Sequence, residues 1–259
     1  VTSPFSHGRG AFTLVELLVV IGIIACLVAI IMPGVGQVRR VSRSLACQSN
    51  IKHLYAASLE FCNEHKGQFP LPVKIPSSGG EDPVGDPLVL EIGSFPLLSI
   101  GLADLNNGKF WKYIGNSEES RRLAVWCPDD NAEGQFTGSG NKGANRNFSY
   151  SYNSLVRTGS FATRGTINRS KVVFPAERIY IMEEVGPNDT YAVMRDMTGA
   201  SDDDRPSARH GTSQADSMQY NTPGYNNSGM SNFGFFDGHV ESLPTMQFNT
   251  HPEYYNPLK

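Results

Sequence analysis

Two imidazoles and a carboxylate can together hold a zinc ion, and His210, Asp237 and His239 offer such a set. Each also has a plainer account. Asp237 precedes Gly238, the dipeptide favoured in a two-residue hairpin turn, and His239 would stand beside it on a strand. His210 lies in a long polar loop whose local pattern does not fix it. The expectation is that no metal is bound, and that these three residues would hold one if it were. The acidic run Asp202, Asp203 and Asp204 could give oxygen ligands to calcium, but it lacks the spaced D-x-D-x-D-G pattern of a calcium loop. A solvated acidic loop is the simpler reading, so no cofactor is expected and calcium is the alternative. Gly138 to Gly143 spells G-S-G-N-K-G, a phosphate cradle only when it joins a strand to a helix N-terminus. Here it lies in a polar loop followed by the strand-like N-F-S-Y-S-Y-N, which excludes that use. G-x-S-x-G, H-E-x-x-H and G-x-x-x-x-G-K-[ST] are absent. No catalytic residue is assigned, and the expected protein is not an enzyme.

Thiols are the next reactive class. Of the four cysteines, Cys26 falls in an apolar run and is expected to be inert. Cys47 and Cys62 share a helix face but stand about 22 Å apart along it at 1.5 Å per residue. That exceeds the roughly 7 Å between Cα atoms that a disulfide tolerates. Either could reach Cys127, and Cys47–Cys127 is the pairing preferred here. Free, buried cysteines are the alternative. No C-x-x-C pair supports a zinc ribbon or a thioredoxin-like site.

The carboxylate in the least favourable surroundings is Glu16. It lies four residues into F-T-L-V-E-L-L-V-V-I-G-I-I-A-C-L-V-A-I-I-M, residues 12–32, which is apolar apart from Thr13 and Glu16 and stops at Pro33. About 20 apolar residues cross the hydrocarbon core of a bilayer, and a soluble core helix rarely stays apolar on every face for so long. A secretory signal would be shorter and would carry its small residues after the run. Here Gly10 and Ala11 precede it, so cleavage there leaves the helix on the mature chain. A carboxylate within a bilayer costs several kcal/mol, on the order of 3 at mid-helix and less near the interface. With the cut before Phe12, Glu16 becomes the fifth mature residue, and the new α-amino group is a cation at the same depth. An axially offset neighbouring helix can bring its amine to Glu16. The acid then acts as a register device for subunit packing, costly alone and compensated when paired.

The segment G-R-G-A-F-T-L-V-E-L-L-V-V-I-G-I-I resembles the N-termini of type IV prepilins and type II secretion pseudopilins, closely from Gly8 to Pro33. The resemblance implies cleavage between Ala11 and Phe12 by a prepilin peptidase and methyltransferase, N-methylation of Phe12, and the assembly role for Glu16. The family usually has Gly before the cut, where this chain has Ala11. Pro33 falls at the twenty-second mature position, where pilins place a helix-distorting proline. The resemblance also puts residues 1–11 in the cytoplasm as a leader and the head outside it, single-pass at a bacterial inner membrane or in a cell-surface filament. The charge rule alone would favour the opposite orientation, because Arg39, Arg40 and Arg43 follow the span and Arg9 precedes it. A looser resemblance to bacterial pilin-like proteins of unresolved function rests on R-R-V-S-R-S-L-A-C-Q-S-N-I-K-H-L, W-C-P-D-D, S-Y-S-Y-N and the closing F-G-F-F-D-G-H-V-E-S-L.

The elements that carry these residues follow from pattern. After Pro33, with Gly34 and Gly36 loosening the helix, Cys47, Ile51, Leu54, Tyr55, Ser58, Phe61 and Cys62 fall on one helical face. This predicts an amphipathic stem helix over 34–65, ended by Gly67 and Pro70. Residues 66–96 read as an irregular Pro- and Gly-rich excursion, with short helices or turns near 97–105 and 110–114. Strands are predicted over 122–127, 147–153, 178–183, 191–195, 232–236 and 239–243, the last two joined at Asp237-Gly238. The expected class is α+β and pilin-like: a leader (1–11), a transmembrane helix (12–33), a stem (34–65) and a head (66–259) in which the long helix packs on an antiparallel sheet.

A formal net charge of -3, with Lys+Arg 22 against Asp+Glu 25, argues against a nucleic-acid partner. The leading expectation is a structural subunit of a type IV pilus or type II secretion pseudopilus, its partners being the membrane, the processing peptidase and identical or related subunits. The alternative is a membrane-anchored binding protein for an extracellular polymer such as polysaccharide. Tyr150, Tyr152, Tyr220, Tyr225, Phe235 and Phe236 could line a glycan- or peptide-binding face, and core packing and loop anchoring explain them equally well.

Overall fold

The computed structural model describes residues 13–70, 97–99, 102–103, 110–130, 148–153, 157–158, 165–184, 191–192, 206–210 and 229–245. The expected cleavage residues Ala11 and Phe12, the acidic run 202–204, the glycine-rich 138–143 and most of the 66–96 excursion lie outside them, as do Tyr220 and Tyr225. The chain divides into two compact units, Val1–Ser42 and Arg43–Lys259. Helix α1 (Leu14–Glu64) contributes to both.

In the first unit, α1 continues through Pro33. The proline removes one backbone hydrogen bond without ending the helix. Leu14–Met32 is long and apolar enough to cross a membrane, and none of it is buried. It has no polar face to turn toward water, so lipid or another apolar helix is the medium that suits it.

In the second unit, α1 presents the predicted face. Cys47, Ile51, Phe61 and Cys62 are wholly buried, and Leu54, Tyr55, Ala57 and Ser58 are buried with them. The helix ends in a Schellman arrangement: Lys66 takes the left-handed position (φ 54°), and the Gly67 N–H donates to the Cys62 carbonyl at 2.7 Å. Two short helices follow, α2 (Trp111–Ile114) and α3 (Glu118–Val125). The latter overturns the strand expected over 122–127. Ser117 and Ser120 form a reciprocal capping box, and Glu118 and Glu119 occupy the first turn. These local start signals outweigh the β-branched and aromatic residues at the end of the segment.

Strands β1 (Leu97–Ser99) and β2 (Leu102–Ala103) pair antiparallel where a helix or turn was expected. The main sheet contains β3 (Tyr150–Asn153), β6 (Ile179–Glu183), β7 (Tyr191–Ala192), β8 (Met230–Phe235) and β9 (Val240–Pro244), in the order β7-β3-β6-β8-β9. Strands β4 (Arg157–Thr158) and β5 (Gly165–Thr166) form a separate pair. Strands β3, β6, β8 and β9 are antiparallel to their neighbours, as the fold class requires, whereas β7 joins the edge parallel to β3.

Four residues, 236–239, link β8 to β9, and three of them, 236–238, lie inside the closing Phe235–His239 bond, where two were expected. The Gly238 N–H donates to the Phe235 carbonyl at 3.0 Å, and the Phe235 N–H donates to the His239 carbonyl at 3.0 Å. Gly238 supplies the positive φ, 94°, that this type of loop requires. The sheet packs on α1 through Tyr180, whose ring meets those of Tyr55, Phe69, Tyr152 and Phe236 at 6.2, 4.9, 5.2 and 4.8 Å between centroids. Gly234 lets the helix approach this closely, because a Cβ there would meet Ile51 Cγ2 at 2.5 Å.

Candidate functional site

The first candidate is the start of α1. Thr13 is the residue before the helix, and Glu16 lies three residues on. The Thr13 N–H and Oγ1–H donate to Glu16 Oε2 at 2.9 and 2.8 Å, and the Glu16 N–H donates to Thr13 Oγ1 at 3.3 Å. This is a reciprocal capping box. Within a single chain the carboxylate therefore has local donors as well as the favourable field of the helix N-terminus.

The second candidate lies inside the head. A disulfide joins Cys47 on α1 to Cys127, which follows α3, with Cα atoms 5.2 Å apart. The sequence W-C-P-D-D makes a turn here, closed by the Asp130 N–H donating to the Cys127 carbonyl at 2.8 Å. The turn places Asp129 and Asp130 beside Glu183, the last residue of β6, and Glu184, which follows it. Segment 206–210 runs past them, held by bridges of Pro206 to Glu184 and of His210 to Met230. Asp129, Asp130, Glu183, Glu184, Arg209 and His210 are all buried.

His210 is the centre of this group. Its Nδ1 lies 3.0 Å from Asp129 Oδ2, and its Nε2 lies 3.0 Å from Glu183 Oε2 and 3.8 Å from Cys127 Sγ. Asn232 fixes Glu183 by donating its backbone N–H to Oε2 at 3.3 Å and its side-chain amide to Oε1 at 3.2 Å. Arg209 pairs with Asp130 at 3.0 Å, and Ser149 Oγ donates to the same carboxylate at 2.7 Å. Arg43, half-exposed, reaches Asp129 at 3.3 Å from the rim. Ser151 donates to Glu184.

Burial pulls the His210 imidazole toward its neutral form. The hydrogen bond and charge of Glu183 and the charge of Asp129 outweigh this and hold its pKa above the ordinary value, against an opposing push from Arg209. A pKa raised on folding stabilises the head fully below the unfolded imidazole value of about 6.5. That contribution is lost as pH rises through the folded value. Urea midpoints for wild type and His210→Asn, taken across this range in mild detergent, should show the wild-type advantage shrinking as pH rises. An advantage that grew with pH would contradict a protonated His210.

The sequence-derived set His210, Asp237 and His239 is not brought together as a site. His239 Nδ1 instead pairs with Asp237 Oδ1 at 2.6 Å within the exposed hairpin loop, while His210 has Asp129 and Glu183. The partners of His210 were missed in the sequence, although two doublets, D-D after Cys127-Pro128 and E-E at the point where β6 ends, marked them. Of the two accounts open for the aromatic residues, core packing holds for Tyr150, Tyr152, Phe235 and Phe236, which are buried in the head. Cys62 is buried among apolar groups, which push its thiol up to about 12 and make it unreactive.

Residues 6–32 match a family described as the prokaryotic N-terminal methylation motif. No curated protein and no solved structure matches the chain.

Proposed function

We propose that this pilin-like chain is a filament or pseudopilus subunit, cut before Phe12, methylated there and packed through α1 against identical or related subunits. The observation that carries the proposal is the methylation motif over residues 6–32 laid on an unburied apolar helical segment, Leu14–Met32, whose one acid is Glu16. The proposed role is structural and non-enzymatic. Apolar burial holds neighbouring helices together, and the pairing of Glu16 with a neighbour's new α-amine sets their stagger. The head is carried on the far side of the membrane from the processing site. An anchored polysaccharide-binding protein is the alternative, and four of the aromatic residues that could have met a glycan, Tyr150, Tyr152, Phe235 and Phe236, are buried in the head instead.

The capping box makes the Glu16 proposal separable from a purely local role. Glu16→Gln can keep the helix-capping geometry, since Gln serves at that position too, but it carries no charge. Glu16→Ala loses both. If the charge sets the stagger, both variants insert and mature, and both lose assembly by at least tenfold in sheared-filament or cross-linked-oligomer yield. Normal assembly of Glu16→Gln would leave only the local capping role.

A further inference from the structure

We propose that Cys47, Cys127, Glu183 and His210 form a zinc site that fills when the disulfide is reduced. The proposal is independent of the assembly role given to α1. One ligand atom from each of the four residues lies within 4.8 Å of the others, and all four residues are buried. In a tetrahedral zinc site with bonds of about 2.0–2.3 Å, neighbouring ligand atoms stand roughly 3.3–3.8 Å apart. The Cys127 Sγ to His210 Nε2 separation is already 3.8 Å. Opening the disulfide frees the two sulphurs to part by the remaining distance.

The surroundings are those of a metal centre. A metal-bound histidine ordinarily donates its other ring N–H to a carboxylate, and His210 Nδ1 has Asp129 Oδ2 at 3.0 Å. The carboxylate ligand is ordinarily oriented by hydrogen bonds of its own. Glu183 receives two from Asn232, whose side-chain oxygen is held in turn by Gln48 Nε2 at 3.2 Å. Two thiolates and Glu183 would bring three negative charges to the ion, and Arg43 and Arg209 flank the site through Asp129 and Asp130. The ligand set, two sulphurs with one imidazole, suits zinc over magnesium or calcium.

The two states exclude each other, because the same sulphurs serve both. A phosphine reductant gives the disulfide two electrons, the sulphurs take two protons, and the phosphine leaves as its oxide with oxygen from water. Zinc then displaces both thiol protons. In the reverse direction a small disulfide oxidant accepts the two electrons, takes two protons from water and departs as two thiols, and the ion is released as Cys47 and Cys127 join.

The test uses the full chain in detergent as a Cys26→Ser/Cys62→Ala parent, in which Cys47 and Cys127 hold the only sulphydryls. After reduction and removal of the phosphine, cobalt(II) should bind at one per chain with the visible spectrum of a tetrahedral, thiolate-bound ion, bleached by zinc. The oxidised parent should not give that spectrum. Asp129→Asn should weaken cobalt binding by about 10- to 100-fold, and His210→Ala by at least as much. A measurement that needs no ligand variant is alkylation of the reduced parent, where zinc should protect both thiols together. Absence of the tetrahedral spectrum from the reduced parent, or equal alkylation with and without zinc, overturns the proposal.

Discussion

A Cys47→Ala/Cys127→Ala chain is expected to unfold with about 4–5 kcal/mol less free energy than the oxidised wild type. The disulfide closes a loop of sequence separation 80, and loop entropy at that length gives about this figure at 25 °C. The bond also ties α1 to the turn that carries Asp129 and Asp130, so its loss frees one wall of the buried charge group. Urea unfolding in detergent with a metal chelator present checks the value. Reductant should bring the wild type close to the double variant and leave the double variant unchanged. A shift below about 1 kcal/mol would mean that the unfolded chain is not the state the bond constrains.

His210→Ala should cost a comparable amount, about 3–5 kcal/mol, because it removes the imidazole that bridges two buried carboxylates and leaves both facing the gap. The loss should be partly recovered in His210→Ala/Glu183→Gln, where one of the stranded acids is neutral. Equilibrium unfolding of the single and double variants gives the coupling directly. Equal and additive losses at the two positions would show that His210 and Glu183 do not act on each other, against their 3.0 Å contact.

The helix was largely legible in the sequence because its signals are local. The apolar run needs only its own composition, and the face from Cys47 to Cys62 needs only a period of 3.6 residues, which its burial follows residue by residue. The strands at β3, β6 and β8 were legible for the same reason. The segment before Cys127 was misread because L-A-V-W was weighed by strand propensity, while the serine pair at 117 and 120 carried the stronger signal. Around 97–105 the apolar spacing was too short to separate helix from strand.

The buried charge group was not legible, for a different reason. His210 was grouped with Asp237 and His239, whereas its partners are Asp129, 81 residues away, and Glu183, 27 residues away. Their meeting depends on the pairing of β6 with β8 and on the turn after α3, which no local pattern specifies. The preferred pairing, Cys47–Cys127, is the one that forms, although no local pattern favours Cys47 over Cys62. Helix spacing separates the two cysteines but does not choose between them. Segment 206–210 shows only two bridges, at its ends, and has no hydrophobic alternation to announce it.

The most direct measurement is the mass of the first peptide of the chain purified from its native membrane. The account predicts a peptide that begins at Phe12 and carries one methyl group on its α-nitrogen. A peptide in which Ala11 is still joined to an unmethylated Phe12 would contradict it.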